Sequence, residues 1–344
     1  MIISKEYRWE NGRTIKVRFL NGEKAVQEKV EKYAHEWENY ANIKFEFGNF
    51  NPAEIRISFN KGYSTSHIGN GCLTVKDQNE PTMNFALLDA TSSDRDFSYF
   101  VLHEFGHALG FQHEHQSPNA QIPWDRAKTY AYYAYPPRNY SKEKTNEDVL
   151  NVLNASENNY GPFDPYSIMC YQVPEEITIG DFSTVLNTTL SEMDMIFAKV
   201  FYPKTRTLIA LQGHNSKYVC ADSVSWTDEI CLTLTRDKIG EWEKFEFIHL
   251  GHNKVALKAY NNKFIIAKKG GWAGAILTAT VDNIGAWETF EIMELGNDKI
   301  ALISAKGGYV TSDTYLWFRY VLMTSRLARG RPPKDWSIFT RIKL

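Results

Sequence analysis

Apolar and polar residues alternate along 13–20, with Ile15, Val17 and Phe19 on one face, the two-residue period of a half-buried strand. The period then lengthens. Val26, Val30, Tyr33, Ala34, Trp37 and Ala41 recur at helical intervals and predict one helix over 25–41. Short alternating runs at 43–47 and 55–59 predict two further strands, and a Gly-, Ser- and Asn-rich stretch at 63–71 predicts a loop. Residues 82–88 predict another strand. Helical spacing returns over 97–110 and ends at Gly110, a residue suited to a left-handed cap. Residues 117–165 are rich in Pro, Asn and Tyr and predict ordered loops with short helices. Met193, Ile196, Phe197 and Val200 predict a closing helix over 191–201, which Pro203 ends. A helix laid across a twisted sheet, an α+β arrangement, accommodates this order.

Beyond Pro203 the strand-like pattern repeats. The runs 208–211, 254–257 and 299–302 place alanines at Ala210, Ala256 and Ala301. The same frame aligns Tyr218, Phe264 and Tyr309, and then Trp242, Trp287 and Trp336, each followed three positions later by Phe245, Phe290 or Phe339. Three copies of a unit of about 45 residues, each with about four strand signals, predict one closed threefold object. Three four-stranded units suit a β-trefoil, whereas a propeller needs about four blades or more. The three tryptophans and three phenylalanines read as core layers. Lys268, Lys269, Trp272 and Trp317 read as exposed loop positions, and Arg326, Arg329 and Arg331 as a solvated basic run. The chain therefore divides into residues 1–203 and an all-β domain over 208–344.

Composition narrows the partners. Hydrophobic residues make up 43% and charged residues 23% of the 344, which marks a folded globular protein and excludes a fibrous or disordered one. The 39 Lys and Arg are balanced by 41 Asp and Glu, so no basic surplus exists to neutralise phosphates and nucleic acid is excluded as the main partner. Aromatics at 14% favour β-rich packing and aromatic-lined clefts. No run approaches the ~18 apolar residues of a membrane span. The first residues lack the apolar core of a secretory leader, so either a leader was removed before this numbering, or export uses another route, or the protein stays inside its cell. The four cysteines form no C-x-x-C pair, and bridges between Cys72 and Cys170 or between Cys220 and Cys231 stay open beside free thiols.

The chemistry concentrates in His103-Glu104-Phe-Gly-His107-Ala-Leu-Gly110-Phe-Gln-His113. Residues four apart share a helix face, so His103 and His107 can aim two imidazoles at one ion. Gly110 lets the chain leave the helix and bring in His113 as a third nitrogen ligand. Three neutral imidazoles leave an open position for water, the pattern of a catalytic rather than a structural zinc. Glu104 cannot reach the metal from the same face and is placed to take a proton from the water that the metal acidifies.

Residues 103–118 (HEFGHALGFQHEHQSP) together with 167–171 (SIMCY) resemble the astacin branch of the metzincin zinc peptidases. Glu114 directly after the third histidine and Tyr171 two places after Met169 are marks of that branch. Trp9, Gly12, the A-x-E-W-E stretch at 34–38 and the strand at 55–59 extend the likeness over about 8–203. The resemblance implies an α+β metzincin catalytic domain, a twisted sheet with an active-site helix. It implies that His103, His107 and His113 bind one zinc ion, that Glu104 is the general base and acid, and that Met169 forms a turn beneath the metal. Tyr171 becomes a switchable ligand that donates to the oxyanion, and Glu114 an anchor for a buried polar or terminal group. The substrate backbone is expected along an edge strand, with 82–88 in that place. Acidic residues just after the scissile bond call for a basic group, Arg126 or Arg138. Two departures stand out: Cys170 replaces a histidine, and Ser117-Pro118-Asn119-Ala120 replaces an Arg-x-Asp-Arg-Asp run. The chain is expected to carry no N-terminal inhibitory segment.

The C-terminal copies lack the Gln-x-Trp triplets of ricin-type trefoils and resemble fascin-like trefoils over about 208–344. This implies a docking module for a glycan, a cell surface or a cytoskeletal protein such as actin. The whole then reads as a secreted, extracellular zinc metalloendopeptidase acting on proteins or peptides, targeted by its trefoil, with a cytoplasmic or non-classically exported protein as the other location. The competing reading is a non-catalytic binding protein. Retention of Glu104 beside all three histidines favours the enzyme.

Overall fold

A computed structural model describes residues 1–136, 138–225, 227–267, 274–312, 321–325 and 332–344, and the chain forms two compact units, Met1–Lys204 and Thr205–Leu344. In the first, β1 (Ile2–Ser4) is wholly buried, and β2 (Thr14–Phe19) buries Ile15 and Val17 while Thr14 and Lys16 face water. Next, α1 (Lys24–Ala34) turns Val26, Val30, Tyr33 and Ala34 inward. The helix expected over 25–41 is two segments, because a 3-10 turn takes over at His35–Asn39. There the Trp37 indole N–H donates to the Leu102 carbonyl at 2.9 Å, a bond that satisfies a buried donor.

β3 (Lys44–Phe47), β4 (Ile55–Ser58), β5 (Thr65–Ser66) and β6 (Met83–Asn84) complete a five-stranded sheet in the order β3-β2-β4-β6-β5. All pairs are parallel except β5 with β6. The expected edge strand over 82–88 is thus corrected: only Met83–Asn84 pairs, it lies inside the sheet, and the edge is β5, within the stretch read as loop. Thr65–Ser66 has no apolar period to announce it. Side-chain bonds hold the segment, with Asn84 Nδ2 donating to the Tyr63 carbonyl at 2.8 Å and Ser64 Oγ accepting from the Ala86 N–H at 3.2 Å.

α2 (Asp94–Ala108) begins at a capping box between Ser93 and Asp96 and buries Phe97, Val101, Leu102 and Phe105. The Phe105 ring meets Phe45 of the sheet edge-on at 4.8 Å, which seats the helix on the strands. The chain leaves α2 through Gly110 at φ +98°, a conformation that side chains resist. α3 (Arg126–Ala134) and α4 (Lys142–Thr145) follow, the latter running into a π-helical turn at Asn146–Leu150. β7 (Asn158–Tyr160) pairs antiparallel with β1, and α5 (Glu192–Phe201) starts at a second capping box, Ser191 with Asp194. The loops after α2 close over their own small core of Ala120, Ile122, Tyr133, Val149, Leu150, Val173 and Ile177.

Apart from a 3-10 helix at Asp335–Ser337, the second unit is built of strands and turns among the described residues, in three successive sets of four strands. They are β8 (Leu208–Gln212), β9 (Tyr218–Val224), β10 (Thr227–Arg236) and β11 (Phe245–His249); β12 (Lys254–Lys258), β13 (Phe264–Ala267), β14 (Leu277–Val281) and β15 (Phe290–Gly296); and β16 (Lys299–Ser304), β17 (Val310–Thr311), β18 (Met323–Thr324) and β19 (Phe339–Lys343). The first and last strand of each set pair antiparallel around a closed ring, β8-β11-β12-β15-β16-β19 and back to β8. The two middle strands of each set form a hairpin. Ala210, Ala256, Ala301, Phe245, Phe290 and Phe339 are fully buried.

The tryptophans are a correction. Trp242 and Trp287 stand 46% and 37% exposed rather than in the core, and Trp336 is half-buried. The buried neighbour in the motif is the glutamate: Glu243 and Glu288 accept the N–H of Gly240 and of Gly285 at 2.7 Å, closing a turn that needs an acceptor inside. Each tryptophan enters the fold through its main-chain carbonyl, which receives the N–H of Ala221, Ala267 or Ser312. Lys268, Lys269, Trp272, Trp317, Arg326, Arg329 and Arg331 lie outside the described residues. All four cysteines are buried free thiols, so neither bridge forms. No helix among the described residues is long and apolar enough to cross a membrane.

Candidate active site

His103 and His107 project from one face of α2, and the turn after Gly110 swings His113 toward them, so that one ring nitrogen of each lies within 4.8 Å of the others. The Nδ1 atoms are all engaged. His103 donates to the Ile168 carbonyl and His107 to the Phe111 carbonyl, each at 2.8 Å, and His113 donates to Gln116 Oε1 at 3.1 Å. A carbonyl oxygen only accepts, so each Nδ1 carries the proton. Burial pushes the His103 and His107 pKa values down to about 4 and about 3 and that of His113 well below the usual value, so the rings are neutral at pH 7. Each Nε2 is therefore a bare lone pair. Those of His107 and His113 stand 3.1 Å apart, a contact in which neither has a proton to share. Lone pairs this close repel unless a cation lies between them, and ligands at Zn–N distances of about 2.0–2.1 Å would sit at comparable separations, so the donor set fits a zinc ion.

Met169 is completely buried. A Cβ on Gly106 would come within 2.3 Å of its sulfur, which explains why the position between the two helical histidines carries no side chain. The turn bearing Met169 is tied from behind by Asp194, whose carboxylate accepts from Ser167 Oγ at 2.7 Å and from the Ile168 N–H at 2.8 Å. Asp194 also closes the capping box of α5, so one buried side chain couples that helix to the residue whose carbonyl orients His103.

Glu104 is 5% exposed, and its Oε2 has no hydrogen-bond partner. Burial raises its pKa to about 8, a carboxyl with strong proton affinity at the wall of a cleft of about 400 Å³. Tyr171 lines the same cleft, its ring 4.4 Å from that of His113 and 5.8 Å from that of His103, and burial holds its phenol protonated well above the usual range. All six expected site residues are thus brought together. Glu114 does not line this cleft. It is fully buried, accepts from the Met1 ammonium at 2.5 Å and from the Asp164 N–H at 2.9 Å, and has a pKa of about 7 because burial outweighs the attraction of that ammonium.

The remaining cleft wall includes residues that sequence spacing did not single out: Tyr63, Tyr99, Tyr132, Tyr140 and Leu186. Of the two arginines proposed for the cleft, Arg138 lines it, with its guanidinium 3.9 Å over the Tyr132 ring. Arg126 does not line it and donates to Asn146 Oδ1 at 2.8 Å instead. Gln116, which holds the third histidine, sits only three positions beyond it. That proximity was the available signal, but nothing in the residue type announces which ring atom it would meet.

The model of the astacin peptidase family matches residues 1–198. Among solved structures, "Structure of myroilysin" shows 40% identity, covers 60% of this chain and 100% of that one, and has a TM-score of 0.58. A second, "Crystal structure of myroilysin", shows 40% identity over 58% of this chain and 87% of that one, with a TM-score of 0.46. A designed 3-fold symmetric protein, ThreeFoil, shows 15% identity over 40% of this chain and 99% of that one, with a TM-score of 0.35. No curated protein matches.

Proposed function

The chain belongs to the astacin family of peptidases, and from that premise we propose that it is a zinc-dependent endopeptidase that hydrolyses peptide bonds in proteins. The observation that carries this reading is the convergence of three unprotonated imidazole nitrogens, with buried Glu104, its Oε2 unpartnered, lining the same cleft as His103 and Tyr171. His103, His107 and His113 would hold the ion, their lone pairs aimed by the bonds at Nδ1. When bound, zinc supplies Lewis acidity toward a water and toward the scissile carbonyl.

Glu104 takes a proton from the attacking water at Oε2 and returns it to the leaving amine, two tasks that a carboxyl of raised proton affinity suits. Tyr171 donates from its phenol to the carbonyl oxygen as that oxygen gains negative charge, and its burial keeps the donor protonated. The substrate main chain adds to the antiparallel edge at Thr65–Ser66, next to Gly62, Tyr63 and Ser64 on the cleft rim. The ring of six strands with three hairpins is a β-trefoil of the fascin-like kind. It targets the enzyme to a glycan, a cell surface or a cytoskeletal protein, and the enzyme works outside the cell.

Turnover of casein or a labelled peptide tests the catalytic reading in three samples: the intact chain, Glu104→Ala and chelator-treated protein. Activity in the first alone supports it, and equal activity in all three overturns it.

A further inference from the structure

His115 follows the third histidine by two residues and is 3% exposed, packed against two residues of the site. Its ring stacks on that of His113 at 5.1 Å and on that of Tyr171 at 4.5 Å, with interplanar angles of 25° and 26°. Its Nδ1 accepts the Tyr171 main-chain N–H at 3.3 Å, and its Nε2 bonds to the Asp148 carbonyl at 3.0 Å. An amide N–H only donates and a carbonyl only accepts, so both bonds demand one neutral tautomer, protonated at Nε2.

Asp148 belongs to the π-helical turn Asn146–Leu150. Such turns interrupt the regular helical ladder and recur at functional sites. Gln116 Nε2 reaches the same stretch, donating to the Glu147 carbonyl at 2.6 Å and to the Asn151 carbonyl at 3.1 Å, while its Oε1 holds His113. A single irregular turn therefore anchors two adjacent side chains, one set against the third imidazole and the other against Tyr171.

We propose that His115 is a positioning residue for catalysis: its Nδ1 acceptor and stacked ring hold Tyr171 where the phenol meets the oxygen that gains charge during hydrolysis. The proposal rests on the reading of Tyr171 as that donor. Simple core packing would demand the ring but neither of the two hydrogen bonds nor any coupling to Tyr171.

The test is a double-mutant cycle in the zinc-loaded full chain, with labelled-peptide kinetics and zinc content measured for the parent, His115→Phe, Tyr171→Phe and the double variant. His115→Phe keeps a stacking ring and loses both hydrogen bonds. It should lower kcat about 10- to 100-fold with zinc content unchanged, and KM should stay within about twofold. The double variant should be no slower than Tyr171→Phe alone. Losses that multiply in the double variant, parental kcat in His115→Phe, or kcat lost in step with zinc content each overturn the proposal. Parental kcat in Tyr171→Phe overturns the Tyr171 reading and the proposal together, while the role of Glu104 stands or falls by its own variant. Should His115→Phe not fold, His115→Asn and His115→Gln take its place, the first keeping an acceptor near Nδ1 and the second only a donor toward Asp148. The asparagine variant should be the faster; equal rates, or a faster glutamine variant, overturn the proposal.

Discussion

The two units hold their key side chains in opposite ways. In the first, His103 depends on partners far along the chain: its Nδ1 bond ends at Ile168, and Ile168 in turn is held by Asp194. In the second, the repeated turns close on themselves, Gly240 onto Glu243 and Gly285 onto Glu288. Long-range support gives a site that many remote positions can disable. Local closure gives turns whose polar bonds need no remote residue, while neighbouring sets still pair strand to strand, β11 with β12, β15 with β16 and β19 with β8.

This contrast can be broken by measurement. The largest effect is expected from Glu104→Gln, which should retain zinc yet lose about 10²- to 10⁴-fold in kcat/KM. A variant that hydrolyses peptides at the parental rate removes Glu104 from the proton path. Next, Phe245→Ala should cost the second unit about 3–5 kcal/mol, since a fully buried ring leaves a cavity. Urea unfolding followed by tryptophan fluorescence reads the loss, and peptidase turnover at 25 °C should remain.

Asp194→Ala should cost about 1–3 kcal/mol by stranding the Ile168 N–H and the Ser167 hydroxyl in the interior. It should also weaken zinc retention during dialysis against a mild chelator, because the residue that orients His103 loses its tether. Zinc retention equal to the parent would show that the turn holds without this carboxylate. The smallest effect is expected from Trp242→Ala, within about 0.5 kcal/mol of the parent, as for a surface substitution. A cost near that of Phe245→Ala would restore the tryptophan to the core.

That the histidines of one motif converge while the tryptophans of the other stay out of the core is a matter of which property carries the signal. In 103–113 the residue types are chemically committed: imidazoles and a carboxylate at helical spacing have few uses, and a glycine at the exit has one. In Trp-Glu-x-Phe the reading relied on hydrophobicity alone. An apolar side chain is free to lie at the surface, whereas a carboxylate taken inside must find a donor, and in these turns the Gly N–H supplied one. The same reasoning covers the sheet edge. Thr65–Ser66 is a strand because Asn84 and Ser64 bond to the main chain around it, and two polar residues leave no period to read.

By itself the sequence determined that two imidazoles share a helix face, that Gly110 releases the chain toward a third, and that three similar strand sets follow. These are consequences of covalent spacing and backbone freedom, which hold in any surroundings. Only the tertiary structure decided which ring nitrogens carry protons, how strongly Glu104 clings to its own, that His115 and Gln116 lean on a π-helical turn, and which face of each repeat is wet. Those properties depend on burial and, for His103 and His115, on acceptors supplied far along the chain, and residue types alone do not encode them.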